Sequence, residues 1–463
     1  MKVRFLFLCG LLCSGVVAAK EDARTKADGV ATFEEAVLAA QGNNTGLQIS
    51  QTDVKIAEER HHASKMAFLP SVNAQLQRSR SKQFSNYNEN FSTGTRIAVE
   101  ASVNVFNGLS TLHNMQAAES AEKAAYHKAK SEEQSLVVKV GDAYCGVWVG
   151  RQKIVALKKK EENLKLTFES QKSTLEAGAG TTPEVRHAEA NYQRAVFERI
   201  RAEAELFSAE SEFKKLTGVD AAQELMLPDF DEDIPDDMNN LINVAMASNH
   251  AILQHRYAEI AADNELKAAR GKLSPSCEVS ASTGRNVSQD NRPPQNGAPN
   301  VDTSSGSNTH SASLTVRVPI YNSGTPSEIE IAGQNSTKAR LSKRDAISEV
   351  RKECVINFNT YLASKAMIKA CRSAVKSAEI SSASNLEENA MGMKSNTEVW
   401  VKENQLLDSR VGLVDSIKQK VTTALKLLAL SGKLDCNYIV GKNKSSGKPM
   451  KNKTKEGKSP SKS

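Results

Sequence analysis

The chain has 463 residues, 25% of them charged and only 5% aromatic, with a formal net charge of +7. Nearly all of that charge is terminal: eight Lys against one Glu between Gly441 and Ser463, plus Lys2 and Arg4, leave the body from Lys20 to Val440 near −2. A nucleic-acid partner is therefore not expected, and the Lys-Gly-Ser-Pro tail reads as a solvated, disordered end.

At the start, Lys2 and Arg4 precede an apolar run from Phe5 to Val17 and then Ala18-Ala19. This pattern reads as a secretory signal peptide over residues 1–19, followed by a short N-terminal segment, residues 20–31. No later stretch approaches the eighteen or so apolar residues of a spanning helix, so an exported chain of this kind is soluble or crosses a membrane as strands. Beyond the signal, Cys145, Cys277, Cys354, Cys371 and Cys436 are scattered, odd in number and without zinc spacing, so they define no disulfide framework, although one bridge stays open.

A repeat organises the rest. Asn44 matches Asn249 and Pro70 matches Pro275, both at an offset of 205; Phe106 matches Tyr321, and GAGTTPEV (178–185) matches GMKSNTEV (392–399). Such a repeat means one supersecondary unit used twice. It divides the chain into a first repeat over 32–215, a linker over 216–240, a second repeat over 241–434 and a C-terminal segment, 435–463.

In each repeat a helical stretch gives way at the proline to a period of two. Ile97, Val99, Ala101, Val103 and Val105 alternate with Arg96, Ala98, Glu100, Ser102 and Asn104, and Leu314, Val316, Val318 and Ile320 alternate with Ser313, Thr315 and Arg317. Ser71–Gln77 and Ser276–Thr283 alternate more weakly. The spacing predicts strands at about 70–80, 95–106, 275–285 and 311–321, near the length that crosses a bilayer as tilted strands. Phe84–Ser92 and Asn286–His310 are expected to be connecting loops. Phe68, Phe106 and Tyr321 fall at strand ends, where an interfacial aromatic girdle would sit. The opposite, polar face carries Arg96, Glu100, Glu278 and Arg317 toward a water-filled bore. An ordinary antiparallel sheet over a soluble core gives the same alternation. Four strands in lipid cannot close alone and would leave unpaired edges, so oligomerisation must supply the closure.

The stretches from Thr111 to Ala177 and from Ser327 to Ala390 are long helices, roughly 100 Å each at 1.5 Å per residue. Their apolar stripes are narrow and rich in Ala and Ser, so they must lie against other helices. Gly178 and Gly392 suit the left-handed residue that closes a helix. Thr182 and Asn396 are expected N-caps of returning helices, with Pro183 in the first turn and Glu184 and Glu398 close behind. Each repeat thus ends in an antiparallel helical hairpin.

Signal peptide, duplicated helix–strand–strand–helix units, a proline before each strand pair and Gly-x-x-(T/S)-x-x-E-V at each tip together resemble the TolC-type outer-membrane efflux family. The pairs NNTGLQ with NHAILQ and FLPS with LSPS, together with VPIYNSG and the two tips, carry the likeness, which spans roughly Thr32–Leu434. VNVFNGLS lacks the proline of its partner VPIYNSGT, and Val401 stands where a second acid is expected. The resemblance implies an α+β membrane protein: a homotrimer closing into a twelve-stranded β-barrel in outer-membrane lipid, continued by an α-helical barrel through the periplasm. It also implies a periplasmic adaptor and an inner-membrane transporter as partners, and drugs or secreted proteins as cargo. In that family acids at the second tip line the entrance, which assigns the gate to Glu398, with Glu184 and Lys394 as supporting charges linking the hairpins. A helix dipole explains both glutamates without any gate.

No enzyme, cofactor or metal site is expected. There is no nucleophile elbow or phosphate-binding loop, His61-His62 reads as a solvated face, and the other histidines lack metal spacing. An elongated coiled-coil periplasmic adaptor or a surface adhesin is the competing reading. An adaptor would carry a single hairpin rather than two equivalent ones, each preceded by a strand pair.

Overall fold

A computed structural model of the chain describes residues 30–85, 88–231, 234–235, 237–292, 301–434 and 439. The expected signal peptide, residues 1–19, and the Lys-rich tail lie outside the described residues. The elements are α1 (Phe33–Asn43), α2 (Thr45–Met66), β1 (Ser71–Ser85), β2 (Asn88–Asn107), α3 (Ser110–Glu176), α4 (Thr182–Thr217), α5 (Met238–Ser248), α6 (His250–Gly271), β3 (Ser276–Arg292), β4 (Val301–Arg317), α7 (Thr325–Ala390) and α8 (Asn396–Leu430). Two helices, two strands, a very long helix and a shorter returning one occur twice.

Local chemistry explains the matched landmarks of the repeat. Asn44 and Asn249 interrupt what would otherwise be single helices. Each has extended backbone, ends one helix and caps the next: the Asn44 side chain accepts from the Leu47 amide, and Asn249 accepts from the amides of Ala251 and Ile252. Asn249 also donates to the Leu430 carbonyl at 3.1 Å, tying α6 to the end of α8.

The strands form one antiparallel sheet in the order β1-β2-β3-β4, so β1 and β4 are its edges. Three expectations need correction. Asn286–His310 is mostly strand rather than loop: Asn286 pairs with Ser307, and pairing runs on to Arg292 with Val301. Phe84–Ser92 is shorter as a loop too, since Ser81 pairs with Ser92 and Ser85 with Asn88. These stretches are mostly polar, with too few apolar residues to mark an alternation, while backbone pairing needs none. β4 ends at Arg317, not near residue 321. Its last rung is Arg317 with Ser276; beyond it the partner strand gives way to Pro275, and Pro319 has no amide to donate. Val318–Tyr321 therefore lie outside the sheet. A register shift between Asn104 and Phe106 puts a bulge at Val105 and brings Phe106 opposite Cys277.

The core lies midway along the long helices α3 and α7 and at the ends of α4 and α8 remote from the tips. Phe33 and Val37 of α1, Tyr144 of α3, Phe213 of α4, Leu241 of α5 and Leu425 and Leu428 of α8 pack together, joined by Phe230 and Ile234 of the linker and by Leu434. Tyr144 is fully buried, and its hydroxyl donates to the carbonyls of Ala31 and Met226, both at 2.8 Å. Burial pushes that phenol well above its ordinary pKa and raises the Cys145 thiol to about 12, so both remain protonated and structural. The linker is pinned from both sides. Arg151 of α3 donates to the Ala222 and Gln223 carbonyls, and Asp231 accepts from the Tyr361 hydroxyl (2.8 Å) and Lys420 (2.9 Å).

Away from this core the first hairpin packs largely through small residues, with one stacked aromatic pair, Phe168 on Tyr192, among them. Ala188, Ala195 and Ala202 of α4 are buried at seven-residue intervals, the repeat of a coiled-coil seam. The four described cysteines, Cys145, Cys277, Cys354 and Cys371, are free thiols.

Candidate functional site

Two regions can carry function: the hairpin tips and the two faces of the sheet. Both tips close with the same backbone device. Gly178 and Gly392 each sit at φ +77°, and the following amides, Ala179 and Met393, reach back to Thr174 and Glu388 at 3.0 and 2.9 Å. This is the paired-bond stop that a left-handed glycine permits. Nothing lies near either glycine, so conformation alone selects it.

The caps fall one residue earlier than Thr182 and Asn396. Thr181 and Ser395 have extended backbone and precede the first helical residue, because a capping box needs its acid three positions on, at Glu184 and Glu398. Glu184 accepts from the Thr181 amide at 3.0 Å and Glu398 from the Ser395 amide at 3.1 Å, while the Ser395 hydroxyl accepts from the Glu398 amide. Both carboxylates are solvent-exposed. Lys394 does not join them: its ammonium stands 4.0 Å from Glu388 in its own hairpin. The expected link between Lys394 and Glu184 is thus absent from the single chain.

What joins the two hairpins lies higher, along α3 and α8. Asp142 faces Lys418 (3.4 Å), Lys153 faces Asp415 (2.8 Å), and Lys160 lies between Asp408 (2.9 Å) and Glu198 of α4 (3.4 Å). Fully buried Asn163 donates to Glu403 at 2.9 Å and Asn404 at 3.3 Å. Burial alone would lower the Lys160 pKa, but the two carboxylates override it and hold the ammonium above the usual lysine range. Sequence reasoning missed this ladder because its partners are some 240 residues or more apart.

The sheet separates its side chains by parity. One face bears Val72, Leu76, Ile97, Val99, Val279, Leu314 and Val316, with Leu76 72% and Leu314 66% exposed. The opposite face carries Arg96 across from Gln77 and Asn286, Glu100 across from Asn73 and Ser282, Glu278 across from Asn104 and Thr315, and Arg317 across from Ser276. All four expected bore residues thus share one polar face. Of the expected girdle, Phe68 sits in the turn before β1, Phe106 at the bulge, and Tyr321 beyond the end of β4, all near the helix-proximal edge and exposed.

The histidines depart from expectation. His61 is half-buried, its Nδ1 2.5 Å from Glu122 on α3, so only His62 is solvated. His127 and His250 approach at 3.2 Å and stack, with Tyr257 against His127. Burial, then the neighbouring imidazole, lowers the His127 pKa. Among the described residues no group of three or more His, Cys, Asp or Glu could hold a metal, and no helix is long and apolar enough to cross a membrane.

Residues 37–219 and 241–433 match the sequence model of a family described as outer membrane efflux protein. The chain is 26% identical to the outer membrane efflux protein BepC of Brucella suis over 444 residues, 94% of this chain and 91% of BepC. It is 21% identical to the outer membrane protein TolC of Escherichia coli over 420 residues, 89% and 84% of the two chains. Among solved structures it resembles a membrane protein from Pseudomonas aeruginosa (TM-score 0.71, 16% identity, covering 86% of this chain and 93% of that one). It is similar to the same degree to the open-state MtrE outer membrane channel of Neisseria gonorrhoeae (TM-score 0.70, 16%, covering 88% and 90%).

Proposed function

Because the chain belongs to the outer membrane efflux protein family, we propose that three copies close the four-stranded sheet into a twelve-stranded barrel continued by a helical tunnel. This channel conducts drugs or secreted proteins handed on by a periplasmic adaptor and an inner-membrane transporter, which supply the energy.

One observation carries the reading: an exposed sheet with an apolar face, a polar face and two open edges, β1 and β4. In water an exposed face of this kind costs about 25 cal/mol per Å². In lipid the apolar face is satisfied, but open edges are not, since their amides and carbonyls find no partner there. Pairing β1 of one copy with β4 of the next satisfies both demands. Twelve strands enclose a lumen that eight would nearly fill, which suits the charged inner face.

The entrance is assigned to the tips. Threefold symmetry gathers three copies of Glu398 around the axis, and carboxylates committed to capping boxes through one oxygen keep the other for a passing cation. Glu398→Gln is expected to reduce cation selectivity in a planar bilayer by several-fold, because the amide still accepts the Ser395 amide bond but carries no charge. An unchanged reversal potential would leave Glu398 a helix cap alone.

A further inference from the structure

A recess outside the tips and the sheet is built like a ligand site. The start of α6 meets the end of α8 between the long helices α3 and α7, where Asn249 donates to the Leu430 carbonyl. This end-to-end junction leaves a half-open cavity of about 570 Å³, lined by all four helices. Small-molecule sites occupy roughly 300–1,000 Å³. The recess faces away from the core. At about 3.6 residues per turn, α3 gives Val137, Val140 and Tyr144 to the core and Ser131, Ser135 and Val138 to the opposite side. Likewise α7 gives Cys354 and Phe358 to the core and Lys352 and Ile356 to the recess. The core side also carries α1, α5 and the linker. In a closed ring of helices that bulk belongs outside, since inside it would plug the tunnel, so the recess opens into the lumen.

We infer that this recess binds amphiphilic zwitterions of drug size, with Lys426 and Gln134 holding a carboxylate and Glu353 an ammonium. The inference deepens the channel reading, on which the exposure of the recess to cargo rests.

Three features support it. Gln134 lines the recess and is only 4% exposed, and among the described residues its Nε2 is the one buried side-chain nitrogen or oxygen without a hydrogen-bond partner. A buried donor left unpaired costs the fold its desolvation with nothing in return. A half-turn about the last torsion exchanges the two ends of the amide, so either can face the cavity, and Ser131 and Ser135 add hydroxyls from the same helix. The second feature is a separation of charge. On the neighbouring α8, Lys426 forms no ion pair among the described residues. On α7, Lys352 is paired with Glu349 at 2.7 Å and also feels the charge of Glu353. Two acids thus share one cation, and that wall keeps a net negative charge. The third is the apolar surface of Val138, Val350, Ile356 and Leu430, which suits the body of an amphiphile. A zwitterion supplies what each wall lacks: an acceptor for the amide, a counter-charge for Lys426 and a cation for Glu353. Lys426 and Glu353 are exposed, so binding is loose, as conduction requires of cargo that must leave as readily as it enters.

The test titrates the full chain in nanodiscs against norfloxacin, a fluorescent quinolone that is zwitterionic at neutral pH, with anisotropy as the readout and empty nanodiscs subtracted. Saturable binding is expected, weakened several-fold by Lys426→Gln and by Glu353→Gln. Lys376→Gln, which removes an exposed cation of α7 outside the recess, should leave it unchanged. Nalidixic acid, a quinolone with the carboxylate but no ammonium, should compete more weakly; its affinity should fall in Lys426→Gln and not in Glu353→Gln. Gln134→Leu should also weaken norfloxacin binding, yet leave the melting temperature of the unliganded protein equal or higher, because it removes the orphaned amide. Absence of saturable binding to wild type would overturn the inference, as would equal affinity in wild type, Lys426→Gln and Glu353→Gln. A folded protein that does not assemble would defeat the channel reading, while its titration would still decide the site. An inserted oligomer without saturable binding would defeat this inference alone.

Discussion

The middle of the helices and their tips are held together by different physics. At the middle, Tyr144, Phe213, Leu425 and Leu428 are fully buried around Phe33 and the linker, a core of the kind that folds small domains. Toward the tips the first hairpin narrows to a seam of alanines with one stacked pair, Phe168 on Tyr192, and the two hairpins are joined by Lys153, Lys160 and Asn163 with their partners on α8. Alanine seams bury little area, and exposed ion pairs contribute little each. The difference teaches where the bundle is held most firmly: the middle is the anchor, and the stretch toward the tips, lower in apolar contact, is where local unfolding is expected to cost least.

Truncating the anchor should have the largest effect. Phe213→Ala removes a fully buried ring from the meeting point of α3 and α4, which costs about 3–5 kcal/mol in cores of this kind. Thermal melting followed by circular dichroism should show a large drop. A change as small as that of a tip substitution would erase the distinction between anchor and tips.

A smaller effect is expected at the seam. Lys160→Met keeps the stem of the side chain but leaves Asp408 and Glu198 without their shared cation. Stability should fall by about 1 kcal/mol or less, since the pairs are partly exposed. Hydrogen exchange in residues 170–190 and 390–405 should nonetheless quicken by several-fold, while exchange around Tyr144 stays unchanged. Equal quickening in both places would mean that the ladder supports the whole bundle rather than the tips.

The smallest effect concerns the linker and depends on pH. Burial tends to raise the Asp231 pKa, but Lys420 and the Tyr361 hydroxyl outweigh it and hold the carboxyl below its ordinary value. A carboxylate with a depressed folded pKa stabilises fully above its unfolded pKa, near 3.8. That contribution is lost as pH falls below this value toward the folded pKa. Asp231→Asn should therefore lower the melting temperature slightly at neutral pH and flatten its dependence below about pH 4. An identical acid profile in both proteins would show that Asp231 is no part of the anchor.

How much of this was legible depended on the range of the interaction. Gly178 and Gly392 act through their own backbone, and Asn44 and Asn249 through the next turn, so a short window of sequence contains all that decides them. The strands were legible only where one face is apolar, around Ile97–Val103 and Leu314–Val316. Where both faces are mostly polar, in Asn286–Arg292 and Val301–His310, pairing is fixed by the neighbouring strand and leaves no period to read. The caps slipped by one residue because Thr181 and Thr182, like Ser395 and Asn396, are equally good capping residues. Only the distance to Glu184 and Glu398 decides between them. The polar ladder of α3 and α8 and the His61–Glu122 pair depend on partners brought together by the fold alone.

The open edges of the sheet carry the central claim, and the mass of the detergent-extracted protein tests it most directly. Native mass spectrometry of membrane-extracted protein in neutral detergent should give three times the mature chain mass, collapsing to one on boiling. A folded monomer released from the cell in soluble form, with β1 and β4 unpaired, would contradict it.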